Sequence, residues 1–115
     1  MAPAVESRPE DPAAPMPQVI VTPQATSGIE RCYLYLYERA PDAADRALEA
    51  IDEALARLET FPHTGRPYAK DRSLRELVIR FGRRGAYLAL FRYEPELDVV
   101  RVLAFKHGRE EDYKP

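Results

Sequence analysis

The feature that most constrains this chain is a change of hydrophobic period part-way along it. Ala44, Ala47, Leu48, Ile51, Leu55, Leu58 and Phe61 recur at steps of three and four, the spacing that puts side chains on one stripe of an α-helix. Pro62 ends the run, since proline lacks the N–H that would continue it. Farther on the period falls to two: Leu77, Ile79 and Phe81 alternate with Glu76, Val78 and Arg80. That alternation marks a strand with two different faces.

The flanking segments extend both patterns. Gln18 to Thr22 is a short β-branched run and reads as a strand. Thr22-Pro23 follows, a cap residue and then proline at the first helical position. Ile29, Cys32, Tyr33 and Leu36 fall at i, i+3, i+4, i+7, one face of a first helix that stops near Glu38–Ala40, before Pro41. Gly28 weakens this helix by about 1 kcal/mol relative to alanine, so the helix needs packing to persist. Pro41 opens the second helix, with Asp42 at its positive end. Phe61 to Pro67 is a turn-rich connection. Gly82 to Gly85 and Pro95 to Asp98 are tight turns, with strands over Ala86–Glu94 and Val99–Lys106. Short connections make these strands an antiparallel meander. The expected fold is α+β: an N-terminal strand, a two-helix antiparallel hairpin, then a three-stranded antiparallel meander. The hairpin covers one face of the sheet, and the other face is partly open.

Composition locates the domain inside the chain. Five of the eleven prolines fall in the first seventeen residues, a stretch with too little apolar surface to offset its ordering entropy. Residues 1–17 are therefore expected to be a disordered tail and 18–115 one domain. Met16 begins a segment that reads as a domain start, so residues 1–15 can reflect an upstream start codon. The net charge of −2 over 115 residues argues against a protein that coats nucleic acid non-specifically. The charge is nonetheless unevenly spread, with twelve cations against eight anions over residues 61–115 and a local +6 over residues 66–92. A single cysteine, Cys32, forms no intrachain disulfide and no Cys-rich metal site. With no apolar run long enough to span a membrane and no secretion signal, a cytoplasmic protein is expected.

The nucleophile inventory is thin: no Gly-x-Ser-x-Gly elbow, no P-loop and no Gly-x-Gly-x-x-Gly. His63 lies in a proline-flanked turn and reads as surface, and two histidines without a carboxylate cluster make no metal site. Cys32 reads as a small buried thiol. What remains is a cationic and aromatic group late in the chain. His107, Arg109 and Tyr113, with Arg83 and Arg84, supply the base, acid and cations that cleavage of RNA by its own 2′-hydroxyl requires. The arginines Arg75, Arg80, Arg83 and Arg84 equally suit the carboxylates of an acidic partner peptide.

Several pieces in order resemble the RelE/ParE family of bacterial type II toxins. They are Val19 to Ala25 leading into the first helix, Leu58 to Pro62, Gly65-Arg66-Pro67, Arg75 to Val78, Tyr87 to Tyr93 and Val102 to Arg109. The resemblance covers Met16 to Tyr113. It implies a toxin neutralised by an antitoxin encoded beside it, with any DNA binding supplied by that antitoxin. It implies no cofactor. Members of the family either inhibit DNA gyrase by binding it or cut mRNA in the ribosome. The RNA-cutting pattern has an arginine after the aromatic that starts the middle strand, where this chain has Leu88 after Tyr87. The ParE-like, gyrase-binding branch is therefore favoured. The alternatives are an mRNA endonuclease using His107, Arg109 and Tyr113, and an inactive relic that still binds its antitoxin. Under either toxin reading an acidic, amphipathic antitoxin segment is expected along the sheet and the helix hairpin, meeting Arg75, Arg80, Arg83 or Arg84.

Overall fold

In the computed structural model the described residues are 17–82, 85–110 and 112–114. The proline-rich stretch 1–16 and the pair Arg83 and Arg84 therefore lie outside the described residues. The element order is β1 (Gln18–Val21), α1 (Pro23–Tyr37), α2 (Pro41–Arg57), β2 (Arg66–Tyr68), β3 (Asp71–Arg80), β4 (Ala86–Glu94) and β5 (Val99–His107). The strands form one five-stranded sheet in the order β1-β5-β4-β3-β2. The expected meander of β3, β4 and β5 is present and antiparallel. β1 pairs in parallel with β5, Gln18 opposite Val99 and Val21 opposite Val102.

Two details differ from the expectation. The connection after α2 contains a short edge strand, β2, paired with β3, and β3 starts at Asp71, before the alternation becomes visible. Arg66-Pro67-Tyr68 carries no periodic signal in three residues; its pairing is imposed by the neighbouring strand. Gly65 allows the approach, at φ +85 with a Cβ position only 2.3 Å from the Glu76 carbonyl oxygen. The helical stripe also ends sooner than expected. α2 stops at Arg57, capped by Leu58, and Phe61 is exposed rather than continuing the buried face.

Thr22 ties the first helix to the sheet. Its Oγ1 accepts from the Ala25 N–H at 3.3 Å, satisfying a free donor of the helix start, and donates to the Val102 carbonyl at 2.8 Å. β1 is so short that it leaves the outer edge of β5 unpaired beyond Val102, and α1 lies along that edge. Gly28 makes the closeness possible: a Cβ there would sit 2.3 Å from the Phe105 carbonyl oxygen. The packing that the glycine requires is thus supplied by a strand backbone. α2 has no side-chain cap but has Pro41 at its start, Asp42 in its first turn and Arg57 in its last, both charges favourable to the helix dipole.

The core joins the hairpin to one face of the sheet. Ala25, Cys32, Ala47, Ile51, Leu55 and Leu58 from the helices meet Ile79, Tyr87, Ala89, Phe91, Val102 and Phe105 from the strands. Leu77 and Phe81 pack against this cluster, as their alternation predicts. Phe81, Tyr87 and Phe105 form an aromatic file with ring centroids 4.9 and 5.3 Å apart. A register shift between Leu90 and Phe91 skips Leu103 on β5, so that Val102 pairs with Phe91 and joins it in the core.

Candidate functional site

Period two assigns every residue near the end of β5 to a face. Phe105 and His107 share the helix side with Tyr87, whose ring meets His107 edge-on at 5.6 Å. Lys106 lies between them and points to the opposite face, beside Leu88. That opposite face carries Glu76, Val78, Leu88, Leu90, Ala104 and Lys106. Among the described residues no helix covers it, yet Glu76, Leu88, Leu90 and Lys106 are all buried. The segment after β5 turns back over them.

Tyr113 is the centre of that segment. Its hydroxyl donates to Glu76 Oε2 at 2.6 Å, while Lys106 Nζ stands 5.0 Å from its ring centroid. The ring therefore spans from β5 to β3 across the β4 positions held by Leu88 and Leu90. Tyr68 meets the same ring edge-on at 5.9 Å. Glu76 Oε1 accepts from Arg66 at 3.2 Å, Lys106 Nζ donates to the Glu110 carbonyl at 2.8 Å, and Lys70 pairs with Asp112. Burial, reinforced by the hydrogen bond to Glu76, pushes the Tyr113 phenol far above its ordinary range. A buried carboxylate is tolerated when partners take up its oxygens, and here Arg66 and Tyr113 do so.

A groove of about 650 Å³ opens on the other side. Its floor is apolar, with Cys32, Leu36, Phe81 and Tyr87, and it runs between the last turns of α1 and the start of α2. Three guanidiniums, Arg31, Arg39 and Arg109, line it together with His107 and Glu110. Arg39 sits 3.7 Å over the exposed Tyr35 ring. Arg31 donates to both oxygens of Glu110 at 3.1 and 3.3 Å and approaches the Phe105 carbonyl at 3.5 Å. Glu110 in turn accepts the His107 N–H at 2.8 Å. Burial raises the Cys32 thiol from 9.0 to about 11, and the Tyr87 phenol to about 12.

The residues singled out from the sequence therefore separate. His107 and Arg109 stay together, the Arg109 N–H donating to His107 Nδ1 at 3.0 Å. Tyr113 lies across the sheet from them. Arg75 is spent locally: Nε and Nη2 hold the Thr64 and Gly65 carbonyls, each at 3.0 Å. Arg80 is exposed at the end of β3, and Arg83 and Arg84 lie outside the described residues. His63 is exposed, its ring meeting Tyr93 edge-on at 5.1 Å. Sequence reasoning missed Glu76, Lys106 and Arg31. Glu76 and Lys106 occupy the polar phase of an alternation and read as solvent-facing; the segment that covers them is distant in sequence from Glu76, and although it starts just after Lys106 its return over the sheet leaves no periodic mark. Arg31 sits beside Cys32 and carries no local mark of its partner, Glu110.

Comparison with known proteins gives consistent results. A family model described as the ParE toxin of the type II toxin-antitoxin system, parDE, matches residues 19–112. Toxin RelE3 of Caulobacter vibrioides is 33% identical over 95 residues, spanning 83% of this chain and 98% of the relative. Among solved structures, a chain of the chromosomal ParDE system of P. aeruginosa superposes with a TM-score of 0.67 at 21% identity, covering 80% of this chain and 96% of that one. A chain of the RelBE2 toxin-antitoxin complex of Mycobacterium tuberculosis superposes with a TM-score of 0.52 at 20% identity, covering 88% and 100%. At these identities the two superpositions speak to the fold.

Proposed function

The chain belongs to the RelE/ParE family of type II toxins, and from that premise we propose that it arrests growth by binding DNA gyrase, without chemistry of its own, and is silenced by an antitoxin. The observation that carries this reading is the engagement of Tyr113. Its hydroxyl is given to a buried carboxylate on the face opposite His107, so the two groups that would share acid and base duty do not converge on one phosphate. Leu88 in the middle strand removes a further cation from the sheet. An apolar groove edged by Arg31, Arg39 and Arg109 suits recognition of a protein surface. It also suits an acidic antitoxin segment.

The test is a supercoiling assay with purified protein. Gyrase activity should fall as toxin is added, and His107→Ala and Tyr113→Phe should retain that inhibition and growth arrest. Gyrase unaffected at excess toxin, with mRNA cut in a translating extract and both variants inert, establishes the endonuclease instead. That second reading draws on the adjacency of His107 and Arg109 at 3.0 Å and on the likeness to Toxin RelE3. No growth defect on induced expression marks an antitoxin-binding relic.

A further inference from the structure

Helix α1 is apolar on two sides, and the sheet accounts for one of them. Ala25 and Cys32 face the core. On the outer side Glu30, Tyr33, Leu34 and Tyr37 recur at i, i+3, i+4 and i+7, a second stripe. Leu34 is 57% exposed and Tyr37 46%, so among the described residues no element covers this patch. A helix with two apolar faces ordinarily has a partner on each. The patch is also held in shape. The Tyr33 and Tyr37 rings lie 5.7 Å apart, and the Tyr33 hydroxyl donates to Asp45 of α2 at 3.0 Å. Tyrosines fixed in this way offer contact area at little cost in side-chain entropy. Asp45 leads onto a stripe of carboxylates. Asp42, Asp45, Glu49 and Asp52 follow at steps of three and four along α2, all of them exposed. The outer face of the hairpin is therefore tyrosine and leucine bordered by negative charge.

We infer that this outer face of the hairpin is the surface that docks on gyrase, seated against a Lys- and Arg-rich protein surface of that enzyme. The inference rests on the gyrase reading above and names the surface that serves it. The sign of the charge selects the occupant. The groove is rimmed by Arg31, Arg39 and Arg109 and suits an acidic partner, which the carboxylates of α2 repel. An enzyme that grips DNA must carry surfaces rich in Lys and Arg, and these complement the stripe from Asp42 to Asp52. Complementary charge steers the encounter, while the tyrosines, with Leu34 beside them, anchor the contact once it forms. The two faces meet at Tyr35. It is 60% exposed, lines the groove and carries Arg39 over its ring. An acidic and a basic partner thus have adjoining but separate seats.

The experiment measures binding of the full chain to immobilised, purified gyrase. Leu34→Ser/Tyr37→Ser should raise the Kd about tenfold or more, the scale of losing an interface anchor. Glu49→Lys should raise it several-fold, chiefly through slower association, and make binding less sensitive to added salt. Glu96→Lys makes the same charge change in the turn between β4 and β5 and should leave binding at the wild-type value. These side chains are all exposed, so far-UV circular dichroism and the urea midpoint should match the wild type. If the double variant has a lower midpoint, Leu34→Gln takes its place. Wild type and double variant bound equally well overturn this face and leave the gyrase reading standing. Equal weakening by Glu49→Lys and Glu96→Lys, or weakening by neither, overturns the basic seat. A wild-type chain that gyrase does not bind at all overturns both readings together.

Discussion

Cys32 shows how much a single position can report. It is 6% exposed on the inner face of α1, and burial holds its thiol protonated, from 9.0 up to about 11. Raised in the folded state, it favours folding most below its unfolded value and loses that contribution as pH climbs through the folded one. Unfolding free energy should therefore decline between pH 9 and about 11 in urea titrations, less steeply in Cys32→Ala. Tyr87, raised to about 12, adds a slope of the same sign at higher pH. Alkylation of the native thiol at pH 8 should be far slower than in urea, because the thiolate is the nucleophile. Cys32 and Leu36 were legible from their spacing alone. Glu76 and Lys106 were not, since a charged residue in a polar phase looks the same whether a returning segment covers it or water does.

At the scale of elements, the hairpin and the meander were readable because their signals are local. Amphipathic period, proline boundaries and turn residues all lie within a few positions of the structure they specify. β2 escaped because a three-residue edge strand has no period, and Phe61 was overcounted because the spacing persists past the point where the helix turns off. Gly28 joins the two levels. Sequence marks it as a helix weakness, and packing turns it into the contact between α1 and the open edge of β5. Gly28→Ala should lower stability by about 1–3 kcal/mol through overpacking, although alanine is about 1 kcal/mol the better helix former. A lower urea midpoint at unchanged slope is the expected result. A midpoint that rises would mean α1 does not press on the Phe105 carbonyl.

For the whole molecule, one core joins helices to sheet, so neither layer has an interior of its own. Far-UV circular dichroism, which follows the helices, and tyrosine fluorescence, from residues divided among α1, the strands and the segment after β5, should report unfolding at the same urea concentration. Separate midpoints would show the hairpin to be an independent unit. The asymmetry of charge acquires a location at this scale. Part of the basic half is spent inside the molecule, Arg66 on Glu76 and Arg75 on two loop carbonyls. The groove's guanidiniums come from both halves, Arg31 and Arg39 from α1 and its end and Arg109 from beyond β5. Among the described residues no helix is long and apolar enough to cross a membrane.

By itself the sequence determined every element but β2, their order, most of the core stripe of each helix and the toxin family, because periodicity and motif order are properties of neighbouring residues. Only the tertiary structure decided that β1 pairs in parallel with β5, that α1 seals the remaining edge, and that His107 and Tyr113 part company. The physical reason is that alternation states that a strand has two faces but not what covers each. The answer comes from register and from a returning segment, and Tyr113 finds Glu76 thirty-seven positions away.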